Sequence, residues 1–406
     1  MKTIVFLLDF YVGTALPTFH LASTLKERGY RVVYLGIPDI EPYVTKYGFT
    51  FHPIMEEVFP KGTRSKLTGG DPGIIAKHFK FILEPNSIDR MLDQLNPELV
   101  VANYFLSLEA LVLWYKHKIP TAIFCSFLRE TTLDPVNVAT GSLIRMGAEA
   151  YRLVTLAQTQ GYSINSLPDL VEPLRHMPEI IGCPLEFDLP GTRRGTNTHY
   201  IEPCIRENTS PQHDFHWPDI DGQTKLIYIS LGSQVASYIE QGKRYYRLFF
   251  DIIKQTADRD WYYIFSFSPH IDPAAFGSLP DNVGIHSWVP QLDILKKACV
   301  SINHGGLGSI KECIFNAVPM LVYPLGADQF QNSHRVKARQ VGDIGALDPQ
   351  EAILQIEALV DGGEQTAGLK NLQAIFRRRQ AECRGATIVE NIVNERGKGE
   401  TNCIYS

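Results

Sequence analysis

The stretch VSINHGGLGSIKECIFN, residues 300–316, decides the fold. Val300 to Asn303 reads as a short buried strand, His304 to Ser309 as a glycine-rich turn, and Ile310 to Asn316 as the helix that follows. A strand, a tight turn and a helix in immediate succession form the repeating unit of a parallel, doubly wound α/β sheet. The turn also has a chemical reading. Glycines let backbone N–H groups approach an anion closely, and the start of a helix carries partial positive charge, so His304 to Ser309 fits a phosphate cradle. Two plainer readings stand beside it: the glycines only permit a tight turn, and Ser309 with Glu312 matches a capping box, Ser at the N-cap and Glu at N3.

The same alternation extends in both directions. Downstream, Met320 to Tyr323 is a strand that stops at Pro324, and its loop carries Asp328-Gln329, either a clasp for vicinal sugar hydroxyls or a solvated pair. Upstream, Leu226 to Ser230, Trp261 to Ser266 and Val283 to His286 are strand-like. In the N-terminal half, strands are expected at Thr3 to Leu8, Arg31 to Leu35, Phe49 to Ile54, Leu99 to Ala102 and Thr121 to Phe124. Between them lie helical patterns after Pro17, around Ile74 to Leu95 and from Leu106 to Lys116. From Pro190 to Gln223 this periodicity is lost in favour of Gly, Thr, Asn, Pro and His. The expected organisation is α/β, with two Rossmann-like doubly wound domains at 1–205 and 223–366 and a linker at 206–222. A closing helical segment at 367–406, with Leu372, Ile375, Ile388 and Ile392, is expected to pack back on the first domain.

Composition excludes several function classes. With 44% hydrophobic and 20% charged residues over 406 positions, the chain is not disordered. Its net charge of −5, with Arg377, Arg378 and Arg379 as the only basic cluster, argues against a nucleic-acid partner. The seven cysteines show no CxxC spacing and fit reduced thiols in the cytoplasm. A monomer or homodimer is expected. Asp9 interrupts the N-terminal apolar run, which reads as a strand and not as a signal peptide. No apolar run reaches the roughly 20 residues of a transmembrane span. Cys403 to Ser406 has the length of a prenylation box, but Tyr405 fits it poorly. Asp219-Ile-Asp221 sits between Pro218 and Gly222 and reads as a turn, not as a metal-binding Asp-x-Asp.

Trp288-Val289-Pro-Gln291, Leu295, His304-Gly-Gly306, Ser309, Glu312, Val318-Pro319, Pro324, Asp328-Gln329 and Asn332 together resemble the signature of the family 1 nucleotide-sugar glycosyltransferases, the UDP-glycosyltransferase superfamily, in its bacterial macrolide-type branch. Tyr228 to Ser233 resembles the family's first donor-domain strand and Gly-Ser loop, and Gly13 to Pro17 its acceptor-domain opening. The resemblance implies a GT-B fold, two Rossmann-like domains facing across a cleft. It places Trp288 on the base, Val289 and Gln291 near the nucleoside, and Glu312 on the ribose hydroxyls. It places Gly232, Ser233, His304, Gly306, Gly308 and Ser309 at the diphosphate, and Asp328 and Gln329 at the sugar. It further implies an inverting, metal-independent transfer of a hexose from a UDP-sugar or other NDP-sugar co-substrate, without a further cofactor.

The family's catalytic base, a His after the first-loop glycine oriented by an Asp, is replaced here by Thr14 and Asn103, neither a competent base near neutral pH. Three readings remain: a relocated base, with Asp9 at the end of the first strand or His20 as the candidates; an acceptor that needs little deprotonation, merely positioned by Thr14 and Asn103; or a non-catalytic or weakly active nucleotide-sugar-binding protein. A sugar-nucleotide epimerase shares the two-domain plan but not this signature. Phe10, Tyr11, Phe79, Phe81, Tyr104, Phe105 and Phe127 are either core or the wall of a pocket for a small lipophilic acceptor such as a phenol or polyketide. Lys61 to Gly73 is either a lid or an idle loop.

Overall fold

The computed structural model describes residues 1–63, 72–128, 134–192, 195–206, 215–362 and 365–397. Most of the Lys61 to Gly73 segment and the Cys403 to Ser406 tail therefore lie outside the described residues. Two compact units are present: one comprises Met1–Cys183, Gly191–Cys204 and the chain from Glu382 onward, the other Pro184–Pro190 and Ile205–Ala381.

The first unit contains β1 (Thr3–Leu7), α1 (Val12–Ala15), α2 (Thr18–Glu27), β2 (Arg31–Gly36), α3 (Glu41–Thr45), β3 (Thr50–Pro53), α4 (Pro72–Leu83), α5 (Ser87–Leu95), β4 (Leu99–Asn103) and α6 (Ser107–His117). It continues with β5 (Thr121–Cys125), α7 (Pro135–Met146), α8 (Ala150–Thr159), α9 (Leu167–His176), β6 (Glu179–Ile181) and β7 (Thr198–Tyr200). Its seven strands run in the order β3-β2-β1-β4-β5-β6-β7, every pair parallel. β1, β4 and β5 are buried along their whole length, which is why they appear in the sequence as unbroken apolar runs without alternation.

The second unit contains β8 (Lys225–Ser230), α10 (Ile239–Gln255), β9 (Trp261–Ser266), β10 (Val283–His286), α11 (Gln291–Leu295), β11 (Val300–Asn303), α12 (Leu307–Phe315), β12 (Met320–Val322), α13 (Gln329–Ala338), β13 (Gly342–Ile344), α14 (Pro349–Val360) and α15 (Gln365–Glu382). Its six strands are ordered β10-β9-β8-β11-β12-β13, again all parallel. Ile229, Phe249, Tyr263, Phe265 and Ile302 form its fully buried centre. Each such side chain contributes about 1.5–3 kcal/mol relative to exposure.

Several expectations are corrected. β7 lies inside the stretch read as structureless and adds an edge to the first sheet. Pro184–Pro190, expected in the first domain, belongs to the second unit. The closing segment is two helices separated at Cys383, which adopts the left-handed φ of 47°. α15 stays with the second unit, where Arg379 pairs with Glu186 at 2.6 Å and Gln373 donates to the Phe315 carbonyl at 3.1 Å. Only α16 (Arg384–Gly397) packs on the first, through Arg28 to Glu390 at 2.6 Å and the Gly385 N–H to Glu202 at 2.9 Å. Asp221 caps its own turn, accepting from the backbone of Gln223 and Thr224, which also holds its carboxyl below the usual range.

Candidate active site

In each sheet the strand order reverses once, between β1 and β4 in the first and between β8 and β11 in the second. Loops that diverge at such a switch point leave a crevice at the carboxyl ends of the strands. The chemistry-bearing residues gather at both.

In the second unit, Ser230 and Asn303 are paired in register, so the loops after β8 and β11 emerge side by side. Gly232 (φ 64°) and Gly306 bracket the His304 ring: a Cβ on the first would lie 2.6 Å from Cε1 and on the second 2.5 Å from Nε2. Neither position has room for a side chain. α12 begins at Leu307 with Gly306 as N-cap and no side-chain cap, so the expected capping box does not form; Ser309 lies within the first turn. The space around Gly308 is open. Uncapped N–H groups at a helix start beside an open glycine are suited to an anion. His304 is buried, its Nδ1 has no partner, and burial pushes its imidazole down to about 4. It is therefore neutral near pH 7 and acts as a hydrogen-bonding group, not as a cation.

Because the capping box is absent, Glu312 is available for other contacts. Its Oε2 accepts from Gln291 Nε2 at 2.5 Å, and Gln291 Oε1 accepts from Tyr228 Oη at 2.8 Å. Burial raises the Glu312 carboxyl and the Tyr228 phenol above their usual values, with Gln291 opposing the shift at Glu312. Trp288, just after β10, is 48% exposed, whereas its neighbour Val289 is buried. Gln329 is buried, and its Oε1 accepts from the Leu325 and Gly326 N–H groups, so its oxygen holds the loop after β12. Asp328 accepts from Asn332, which in turn donates to the Gly305 carbonyl and ties α13 to the glycine turn. Ser233 is exposed at the start of the turn after β8.

In the first unit, Asp9 follows β1 and Asn103 closes β4, the two strands flanking the switch point. Asp9 is 3% exposed. Its Oδ1 accepts from the Tyr11 N–H at 2.7 Å and from Thr14 Oγ1 at 2.6 Å, and Asn103 Nδ2 donates to Thr14 Oγ1 at 3.0 Å. The direction of these bonds makes Thr14 a donor to Asp9, oriented from behind by Asn103. Asp9 Oδ2 is buried and has no partner. Desolvation pushes the Asp9 carboxyl up to about 6, against the Thr14, Tyr11 and Asn103 hydrogen bonds, with the charge of Glu109 adding to the rise. His20, the other candidate base, has Nε2 3.9 Å from Glu202 Oε1 at the α16 junction.

The aromatics form a continuous shelf beside Asp9. Phe10 meets Tyr11 at 4.3 Å between ring centroids, Tyr11 meets Phe105 at 5.7 Å, Phe105 meets Phe127 at 5.8 Å, and Phe127 meets Tyr104 at 4.6 Å. Tyr104 and Phe127 are buried supports, whereas Tyr11 and Phe105 present exposed faces. Phe79, expected with them, is instead buried on α4 against His78. His78 and Glu109 escaped sequence reasoning altogether, because their elements meet only in the folded unit. Among the described residues no group of three His, Cys, Asp or Glu is arranged to hold a metal ion, and no helix is long and apolar enough to cross a membrane.

Two parallel doubly wound units of this kind make up the GT-B fold. Residues 196–352 match the family described as "UDP-glucoronosyl and UDP-glucosyl transferase". The oleandomycin glycosyltransferase of Streptomyces antibioticus is 31% identical over 43% of this chain and 40% of its own. The NDP-glycosyltransferase YjiC of Bacillus subtilis (strain 168) is 24% identical over 93% of this chain and 94% of its own. The crystal structure of the glycotransferase of kitacinnamycin superposes with a TM-score of 0.76 at 23% identity, covering 96% of this chain and 98% of that one. The family match thus lies in the second unit, and over nearly its whole length the chain is similar to a bacterial NDP-glycosyltransferase.

Proposed function

We propose that the protein transfers a hexose from a UDP-sugar to a hydroxyl of a small, flat, lipophilic acceptor, a phenol or polyketide-like natural product, with inversion and without a metal ion, and that Asp9 is its base. The observation that supports this reading is the buried, unpartnered Oδ2 of Asp9 beside an exposed aromatic shelf. Asp9 Oδ2 takes the acceptor proton as the acceptor oxygen bonds to the anomeric carbon from the face opposite the departing diphosphate. Thr14, itself held by Asn103, and the Tyr11 N–H hold Oδ1 and keep the carboxyl oriented. The leaving UDP is stabilised by the backbone N–H groups at the start of α12 and by neutral His304, fixed dipoles that need no reorganisation as charge develops. Gly232, Ser233, Gly306, Gly308 and Ser309 shape that seat, Trp288 stacks on the base over Val289, and Asp328 with Gln329 meets the sugar.

Incubation with UDP-glucose and a panel of phenolic, carboxylic and amine acceptors, read by mass spectrometry, tests the proposal. Glucosylated phenols are expected; UDP binding with no product across the panel would leave a non-catalytic nucleotide-sugar-binding protein. A second test concerns the nucleotide. Glu312 Oε2 is held by Gln291, whereas Oε1 has no partner among the described residues, which suits it to the ribose diol. A hydrogen bond to a charged group contributes about 1.5–3 kcal/mol. Glu312→Ala is therefore expected to raise KM about tenfold or more for UDP-glucose and less for dTDP-glucose, which lacks the 2′-hydroxyl. Equal losses with both donors would remove the diol assignment.

A further inference from the structure

Along β8, Ile227 and Ile229 point into the buried centre of the second unit, so Tyr228 between them stands on the opposite face of the sheet. It is 2% exposed. Its hydroxyl meets Gln291, the first residue of α11, and Gln291 in turn meets Glu312 on α12. A side chain from the sheet thus reaches two helices through one amide.

The three groups form a relay with a single direction. The Glu312 carboxylate only accepts, so the Gln291 amide turns its NH2 to Oε2 at 2.5 Å and its carbonyl to Tyr228, whose hydroxyl donates at 2.8 Å. Burial pushes the phenol up, so it keeps the proton that it gives. Gln291 and Glu312 are both half-buried, and an amide released from the phenol has water to turn to. The terminal torsion of a glutamate is broad, so hydrogen bonds and not rotamer preference fix the plane of its carboxylate. Gln291 fixes that plane from the Oε2 side and leaves Oε1 for another donor. The buried end of the relay decides whether Gln291 stays in place to do so.

We propose that Tyr228 is a positioning residue for nucleotide recognition: through Gln291 it holds the Glu312 carboxylate with Oε1 available to the ribose 2′-hydroxyl, and so sets the preference for a ribonucleotide over a 2′-deoxyribonucleotide. The inference rests on Glu312 meeting the ribose diol. Tyr228 acts only through Gln291. A bond that merely cross-linked α11 to α12 would, when lost, weaken every nucleotide alike.

The test is calorimetric binding of UDP and 2′-deoxy-UDP, which differ only in the 2′-hydroxyl, to the wild type, Tyr228→Phe, Gln291→Met, the double variant and Glu312→Ala. The wild type is expected to favour UDP, and Glu312→Ala to bind the two alike. Tyr228→Phe keeps the ring and is expected to bind UDP about fivefold more weakly, with 2′-deoxy-UDP within about twofold of wild type. Its KM for UDP-glucose should rise in step while kcat at saturation stays put. Met at position 291 keeps the length of the side chain and removes the amide. Adding Tyr228→Phe to it is expected to leave the UDP preference where Gln291→Met put it, because the phenol then has nothing to act through. The double variant also leaves no buried carbonyl without a donor, so the comparison with Gln291→Met holds even where Tyr228→Phe alone folds poorly. Equal losses for both nucleotides in Tyr228→Phe, an undiminished UDP preference in it, or a further fall in preference from Gln291→Met to the double variant would each overturn the inference. Glu312→Ala separates the two levels. A wild type that binds the two nucleotides alike, or a preference that survives Glu312→Ala, removes the ribose assignment and this inference together; a preference lost in Glu312→Ala but kept in Tyr228→Phe removes this inference alone.

Discussion

Asp9→Asn is expected to lose glucosyl transfer to a phenol by roughly a hundred- to ten-thousand-fold while retaining UDP affinity. The magnitude is that of a general base removed from a reaction whose other components remain. UDP binding should be spared because the loops proposed to hold the donor, from Gly232 to Gln329, belong to the second unit and Asp9 to the first. The wild-type profile of kcat/KM should climb from acid through about pH 6, where the Asp9 carboxyl ionises, and then level off. Asn at position 9 should abolish that limb. Turnover that survives in Asp9→Asn with an unchanged limb would mean that the acceptor is merely positioned, and that Thr14 and Asn103 do the positioning without a base.

The same carboxyl makes a stability statement whose sign can be worked out. Its folded-state value is raised from 3.8 to about 6, so between those values the folded chain binds more protons than the unfolded one. The protein accordingly loses stability as pH rises through this interval, by an amount on the order of 3 kcal/mol, and loses no more from this group above it. An Asn side chain has no such titration. Its Nδ2 would occupy the place of the unpartnered Oδ2 and bring a cost of its own, so the absolute difference between the two proteins at one pH is not diagnostic. The stability of Asp9→Asn relative to wild type should instead grow by about that amount between pH 4 and pH 7, as measured by denaturant unfolding at both. Stored instability of this kind fits a residue kept for chemistry.

The glycine turn of the second unit is legible in the sequence because it is local: β11, the turn and α12 follow one another directly between Val300 and Phe315, and the parallel strands are largely apolar. The helix starts three residues earlier than the sequence pattern suggests, at Leu307 and not Ile310, enough to turn Glu312 from the N3 partner of a capping box into a side chain held by Gln291. The strands that escaped notice, Glu179–Ile181, Thr198–Tyr200 and Gly342–Ile344, are each three residues long, too short to carry a pattern. The Asp9 cluster of the first unit is assembled from the ends of β1 and β4 and from α1. Asp9, Thr14 and Asn103 could be named because each falls in or beside a recognisable strand-end loop. His78 and Glu109, whose Nε2 and Oε1 lie 2.9 Å apart, could not, because neither has a neighbour in sequence that marks it and their pairing depends on how α4 lies against α6.

The largest effect on stability is expected at a second buried ion pair, where the chain leaves the first unit at Pro184 and returns at Gly191. Asp188 on this strap is fully enclosed, and its Oδ1 accepts from Arg335 Nε on α13 at 2.9 Å, with the Arg335 side chain only 4% exposed. Arg339, one turn further on, donates to the carbonyl groups of Phe187 and Asp188. Asp188→Ala leaves the Arg335 guanidinium inside without its counter-ion, a loss of about 3–5 kcal/mol. For a unit of this size that corresponds to a fall in melting temperature on the order of 10 °C. Three of the four tryptophans, Trp217, Trp261 and Trp288, belong to the second unit, so fluorescence reports chiefly on the part that should loosen. Because two units need not unfold together, calorimetry should accompany it to show whether the transition splits. The pairing itself is separable from the burial: in Asp188→Leu/Arg335→Met both charges are gone, and most of the lost stability should return. If the double variant is as unstable as Asp188→Ala, the strap is held by its backbone contacts to Arg339 and packing, and the charge pair contributes little.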